Sequence, residues 1–270
     1  NALEAFQMAV KLRNDYGWVH CRIGIILRMQ HNFEESLRAF DQAVEIMPEF
    51  GTAYVERAET FRQMGEYERA LADLEISKVL LGEDAWMYAV LAEVQRGIKQ
   101  PQKALESFAR SLEIDPNYDW ALAHRARLLR ELKQYELALQ DFYAALNLKD
   151  NYVWAFYQRG ELLQEMGETE AAWKDFQKTL ELNPGYFWAK AGCAEILIQQ
   201  QKYTEAIPYL EGFLLSSPQD PWGLGQLGYA YEKSGQLEQA RLNYWQALTF
   251  DPQNAWALQR LDALKKLDYP

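Results

Sequence analysis

The sequence predicts an all-α protein built as a solenoid of helix-turn-helix units, and three observations carry that reading. Pro48, Pro116, Pro184, Pro218 and Pro252 are separated by multiples of 34 residues, with the helix breakers Gly82 and Asp150 filling the gaps. Small residues recur at the same period in two columns. One is Gly24, Ala58, Ala92, Ala126, Gly160, Ala194 and Gly228; the other is Ser36, Ala70, Ala104, Ala138, Ala172, Ala206 and Ala240. Large apolar residues follow the second column by four positions, at Phe40, Leu74, Phe108, Phe142, Phe176, Leu210 and Tyr244. Small residues facing large ones let two helices approach closely in every window. Such units bury a continuous core only by stacking on one another.

The elements follow in order. Residues 1–16 fit the second helix of a truncated repeat, with Ala2, Phe6 and Ala9 in the expected columns. Seven windows come next without an insertion: 17–50, 51–84, 85–118, 119–152, 153–186, 187–220 and 221–254. In each, a first helix ends at a turn such as Met64-Gly65-Glu66-Tyr67 or Met166-Gly167-Glu168, whose Gly is a C-terminal signal. A second helix then runs to the turn that closes the window. Residues 255–270 read as a capping helix over Ala255–Leu267, ending in Lys265 and Lys266, whose charges suit a helix C-terminus. Window 187–220 departs most from the pattern: Phe213 replaces a small residue and Lys190 an apolar one. Pro208 falls in the first turns of its second helix and removes a donor if it lies deeper. The opening half-repeat has no starting Met, so further domains of the same polypeptide are expected N-terminal to residue 1.

Composition bounds the function. Hydrophobic residues make up 49 % and charged residues 25 %, with 9 Trp, 16 Tyr and 12 Phe, which suits a folded chain rather than a disordered one. The longest aliphatic run, Ile23–Leu27, is far short of a membrane span, and no charged-then-apolar leader opens the chain. A net charge of −11 argues against non-specific binding to nucleic acid or anionic lipid. With Cys21 and Cys193 alone there is no disulfide framework, and a reducing, cytoplasmic setting is expected.

The spacing Gly160…Leu163…Gly167…Ala172…Phe176…Pro184 resembles the tetratricopeptide repeat, and the resemblance covers the chain in seven in-phase copies. It implies a right-handed superhelix whose first helices line a concave groove. It also implies a non-catalytic scaffold that binds a peptide or protein segment there. The run Tyr118-Asp119-Trp120, echoed at Tyr152, is similar to arrays attached to bacterial signalling ATPases and caspase-like proteases. That similarity implies the alternative of a regulatory or sensor domain excised from a larger enzyme.

Helical geometry picks out the face available for work. At about 100° per residue, Phe156, Arg159, Gly160 and Leu163 point on average opposite Trp154. The Trp154 slot also holds Trp18, Trp86, Trp120, Trp188, Trp222 and Trp256, with Thr52 the one gap. An exposed aromatic array marks a binding surface. The same rings, each following turn residues such as Tyr16, Phe50, Tyr118, Tyr152 or Tyr186, can instead staple one repeat to the next. Neighbouring slots carry Arg22, Arg28, Arg62, Arg96, Arg127 and Arg130 against Glu56, Glu59, Glu93 and Glu131 in the first four repeats. The last three carry Lys233 against Glu161, Glu165, Glu195 and Glu232, so the groove is expected to be polarised. Simple pairing of Arg with Glu on a solvated surface is the competing reading. The candidate peptide-binding groove is Trp86, Trp120, Trp154, Trp188, Trp222, Arg62, Arg96, Arg127, Arg130, His124, Tyr157, Glu161, Glu195 and Tyr229. The inner positions Cys21, Val55, Ala89, Ala123, Tyr157, Ala191 and Gly225 hold no Asn or Lys, so a clamp for a chaperone's C-terminal carboxylate is not expected.

No chemistry is expected. Gly223-Leu224-Gly225-Gln226-Leu227-Gly228 spells a dinucleotide fingerprint, but no strand precedes it and Gly228 belongs to the packing column. Asp115, Asn117 and Asp119 resemble a calcium loop, yet Trp120 stands where that loop needs Gly. His20, His31 and His124 lack ligand spacing, and His20 points away from Cys21 along its helix. Catalytic residues, metal and cofactor are all read as none. Single-strand RNA binding through Trp stacking and Arg is disfavoured by the acidic balance.

Overall fold

The computed structural model describes residues 3–6, 8 and 16–267, with side chains described as far as Leu264. Every described element is helical. The chain forms two compact units, Asn1–Leu148 and Lys149–Pro270. The first contains α1 (Gly17–Met29), α2 (Phe33–Ile46), α3 (Gly51–Met64), α4 (Tyr67–Leu81), α5 (Ala85–Gly97), α6 (Pro101–Ile114), α7 (Asp119–Glu131) and α8 (Tyr135–Leu148). The second contains α9 (Val153–Glu165), α10 (Thr169–Leu182), α11 (Phe187–Gln199), α12 (Tyr203–Leu214), α13 (Pro221–Lys233), α14 (Leu237–Phe250) and α15 (Ala255–Leu267). Within each unit consecutive helices pack side by side, and in the first unit α1, α3, α5 and α7 also touch in sequence. This is an α-solenoid of helix pairs. The regular 34-residue frame gives no sign of the division after Leu148.

One turn residue reverses the chain in every pair. His31, Gly65, Lys99, Lys133, Gly167, Gln201 and Gly235 all have left-handed backbone, with φ between 59° and 81°. At Gly65 the next two amides close the helix: Gly65 N–H donates to Arg62 O at 3.0 Å and Glu66 N–H to Phe61 O at 2.9 Å. Glycine suits this conformation, whereas a side chain there costs about 1–2 kcal/mol. His31, Lys99, Lys133 and Gln201 carry that strain, which is why only three of these turns announce themselves as Gly in the sequence.

The two small columns do the close packing. Phe40, Phe108, Phe142, Phe176, Leu210 and Tyr244 are fully buried against them, and Leu74 nearly so. A Cβ added at Gly160 would lie 2.7 Å from the Phe176 ring, closer than any methyl tolerates, so the small residue is a steric requirement. Phe6 packs beside Val19 and Ile23; Ala2 and Ala9 lie outside the described residues, as do the side chains of Lys265 and Lys266.

Two details go beyond the columns. Pro208 is in the early turns of α12, as expected, but past the first one, so the Thr204 carbonyl loses its helical donor. Phe213, in a column that is small elsewhere, is accommodated because α13 presents Gly223, where a Cβ would fall 2.6 Å from the Phe213 ring.

Candidate functional site

The tryptophan slot lies on the first helix of each pair, and the rings divide their surface between packing and solvent. In the first unit Trp86 and Trp120 are half-buried and meet edge to face with centroids 5.1 Å apart. Trp120 also stacks on His124 at 3.7 Å and lies near Tyr118. Trp18 is 48 % exposed beside Phe6 and Tyr16. In the second unit Trp154 is half-buried next to Tyr152, and Trp222 meets Phe213 edge to face at 5.6 Å. Trp188 is 47 % exposed and Trp256 38 %. The stapling and the open surface therefore coexist in one set of rings. Tyr157 packs between Phe176 and Tyr186, and Tyr229 lies between Trp256 and the Arg260 guanidinium.

Most charges of this face in the first unit are paired, although Arg22 is exposed. Glu93 is fully buried, and Glu59 is buried too, although both occupy slots the sequence reading placed on an open face. Glu93 lies 3.6 Å from Arg62 Nη1 and 3.2 Å from Arg96 Nε, and it accepts a short hydrogen bond from Arg127 Nη2. His124 Nδ1 is 3.4 Å away on α7. Arg62 also forks onto Glu59 at 2.6 and 2.7 Å, Arg96 reaches Glu131 at 3.1 Å, and Arg28 reaches Glu56 at 2.6 Å. The arginine ladder is thus a lattice that ties α3, α5 and α7 together. Burial alone would raise the Glu93 carboxyl; His124, Arg127 and Arg96 outweigh it and hold the group well below the usual carboxylate range. His124 is pushed below its ordinary value by burial, despite the pull of Glu93. Arg130 is half-buried near the C-terminus of α7.

In the second unit Glu161, Gln164, Glu165, Glu195 and Gln199 line a depression of about 340 Å³, where Gln164 Nε2 donates to Glu195 at 2.8 Å. Burial and the neighbouring Glu161 push the Tyr186 phenol up to about 12. Glu232 accepts from the Tyr244 hydroxyl at 2.7 Å and from Arg260 at 3.2 Å. The inner positions Cys21, Val55, Ala89, Ala123 and Ala191 are buried and offer little to a ligand, whereas Gly225 lines a depression of about 540 Å³ with Trp222 and Trp256. Burial pushes the Cys21 and Cys193 thiols up to about 12, which leaves them poor nucleophiles.

One recurrent feature escaped the sequence reading. Arg57 forks onto Asp73, Arg125 onto Asp141 and Arg159 onto Asp175, each pair sixteen residues apart and bridging the two helices of one window. The signal is visible in hindsight as an Arg and an Asp held at fixed spacing in three windows, with apolar or small neutral pairs such as Ile23 with Ala39 in others. Among the described residues no three His, Cys, Asp or Glu side chains gather to hold a metal ion, and no helix is long and apolar enough to cross a membrane.

Models of the tetratricopeptide repeat family match residues 21–85, 87–118, 107–140, 163–221 and 223–254. The chain belongs to the tetratricopeptide repeat family. Tetratricopeptide repeats are typically non-catalytic, and the chain is accordingly a protein-interaction scaffold in the general sense. No curated protein sequence matches it. Among solved structures it is similar to the PilF protein of Pseudomonas aeruginosa, with TM-score 0.73 and 23 % identity over 79 % of this chain and 96 % of that one. It is also similar to a chain of the APC/C Cut9–Hcn1 hetero-tetramer, with TM-score 0.76 and 18 % identity over 83 % of this chain. It spans 45 % of that chain's length. A third likeness is to the human IFIT1 dimer with PPP-AAAA, with TM-score 0.69 and 16 % identity over 93 % of this chain and 63 % of that one. At these identities the likeness is one of fold.

Proposed function

We propose that the tetratricopeptide array binds a peptide or protein segment along the tryptophan-bearing face of its first helices. The observation that carries the reading is the recurrence of half-open indoles at one slot on successive first helices, with Trp18, Trp188 and Trp256 the most exposed. Aromatic rings held on one edge and open on the other supply contact area at small entropic cost. In the first unit the segment meets Trp86, Trp120 and His124, with Arg62, Arg96, Arg127 and Arg130 beside them. A segment on the second unit meets Trp154, Tyr157, Trp188, Trp222 and Tyr229, with Glu161 and Glu195 beside them. Because Arg62, Arg96 and Arg127 already pair with buried or neighbouring carboxylates, they contribute less steering than a free ladder. The seven windows 17–50 to 221–254, the half-repeat 1–16 and the cap 255–270 are the register within which these residues are assigned. Two buried thiols without a disulfide support a reducing setting such as the cytoplasm.

The test uses a displayed random-peptide library selected on the chain. Selected peptides should lose about 2 kcal/mol or more of affinity on Trp188→Ala, a hot-spot magnitude. The variant should stay folded with a lowered melting point, since the ring also packs on Phe187 and Phe213, so affinities are compared at a temperature where both proteins are folded. Peptides that bind Trp188→Ala and Trp120→Ala as tightly as wild type sink the proposal.

A further inference from the structure

The window with most departures from the pattern builds a cavity that the groove does not use. It measures about 410 Å³ and is lined by Leu180 of α10, Pro184 of the following turn, Lys190 of α11, and Pro208 and Tyr209 of α12. Four of the five walls are apolar or aromatic, and Lys190 supplies the charge. Lys190 stands where the other windows carry His20, Tyr54, Tyr88, Leu122, Phe156 and Leu224. Its ammonium has one polar contact, to the Gly212 carbonyl at 3.4 Å, and among the described residues no carboxylate lies within ion-pair reach.

Three departures of one window converge on this cavity. A Cβ at Gly212 would lie 3.0 Å from Lys190 Cδ and 3.1 Å from Nζ, so the glycine makes room for the lysine stem along α12. Pro208 gives up a backbone donor in the interior of α12 and places its ring on the wall. Lys190 then holds a half-buried cation facing a neutral carbonyl, with no anion to offset its partial desolvation. Partly buried arginines elsewhere in the second unit do find carboxylates, as Arg159 finds Asp175 and Arg260 finds Glu232.

We propose that this cavity binds an apolar group carrying a carboxylate. The aliphatic part lies against Leu180, Pro184, Pro208 and Tyr209, and the carboxylate accepts from Lys190 Nζ. The volume falls in the range of small-ligand sites, about 300–1,000 Å³. It suits a short aliphatic acid or the last apolar residue of a peptide with a free carboxylate. None of the five lining residues belongs to the proposed groove, so the inference stands apart from that reading.

The test uses the whole chain with its lysines carrying ¹³C-dimethyl labels, which keep the charge. The Lys190 resonance is identified by its loss in Lys190→Met. Hexanoate should shift that resonance saturably, and hexanol, its neutral counterpart, should bind about tenfold more weakly, as a lost charged hydrogen bond implies. Binding to Lys190→Met, followed calorimetrically, should bring hexanoate down to the hexanol level. Gly212→Ala, which displaces the lysine stem from the other side, should weaken hexanoate as well. Acetyl-Gly-Leu and its amide separate the two sources. Tighter binding of the free-carboxylate dipeptide than of hexanoate assigns a peptide end, and weaker binding assigns a free acid. Equal affinity for hexanoate and hexanol overturns the proposal. So does a uniform shift of all lysines, or a folded Lys190→Met or Lys190→Gln variant that keeps hexanoate affinity.

Discussion

Glu93→Gln probes the lattice that joins the first helices of the first unit, because it removes one charge while keeping shape. The wild-type carboxylate is fully buried and faces Arg62, Arg96, Arg127 and His124. Breaking a buried ion pair by deleting one partner typically costs about 3–5 kcal/mol, since the other charge is left uncompensated. Here the three guanidiniums keep 18–24 % of their side-chain exposure, and Arg62 and Arg96 retain Glu59 and Glu131 as acceptors. The expected loss is therefore lower, about 2–4 kcal/mol after that discount. Glu131→Gln is the comparison: its carboxylate is 45 % exposed, and its removal should change stability by about 0.5 kcal/mol or less. Urea unfolding of the whole chain measures the difference. Hydrogen exchange in α3, α5 and α7 locates it, because repeat arrays need not unfold in a single step. Equal shifts for the two variants would refute the claim that Glu93 is the centre of the lattice.

Acidification tests the same cluster by titration. The folded pKa of His124 lies below its ordinary 6.5, so the unfolded chain takes up a proton that the folded chain refuses, and stability declines as pH falls below 6.5. Glu93 is depressed from 4.5, so its contribution is complete above that value and is lost as pH falls further. His124→Gln should flatten the first stage in a pH series of melting points and move the second to higher pH, since His124 is among the groups that hold Glu93 down; an unchanged profile would show that His124 does not titrate with folding. Ala138→Leu, in the fully buried small column, should cost about 1–3 kcal/mol by overpacking, while Ala72→Leu on the exposed side of α4 should cost little; equal urea midpoints would contradict the packing assignment. Lys133→Gly should raise stability by about 0.5–1 kcal/mol by relieving a left-handed side-chain residue at φ 59°, and a loss on thermal melting would mean the lysine side chain is needed there.

The helix pairs, the short turns and the facing small and large columns were legible in the sequence, because steric fit between adjacent helices repeats locally every 34 residues. Gly160 against Phe176 and Gly24 against Phe40 could be paired from spacing alone, since both partners belong to one window. The tryptophan slot was legible for the same reason. What each indole touches was not, as Trp120 spends one face on His124 while Trp188 stays nearly half open. Only tertiary structure decided the fate of the charges. Glu93 and Glu131 both read from the spacing as polar residues on the open side of their helices, yet Glu93, in the middle of α5, is fully buried among three arginines and Glu131, at the end of α7, is 45 % exposed. Burial of a charge depends on how far neighbouring helices from other windows reach over it, and that distance is set by packing across the stack rather than by any spacing within a repeat. The cavity beside Lys190 has the same origin: Leu180, Lys190 and Pro208 lie on three separate helices, and only the folded chain brings them to one cavity.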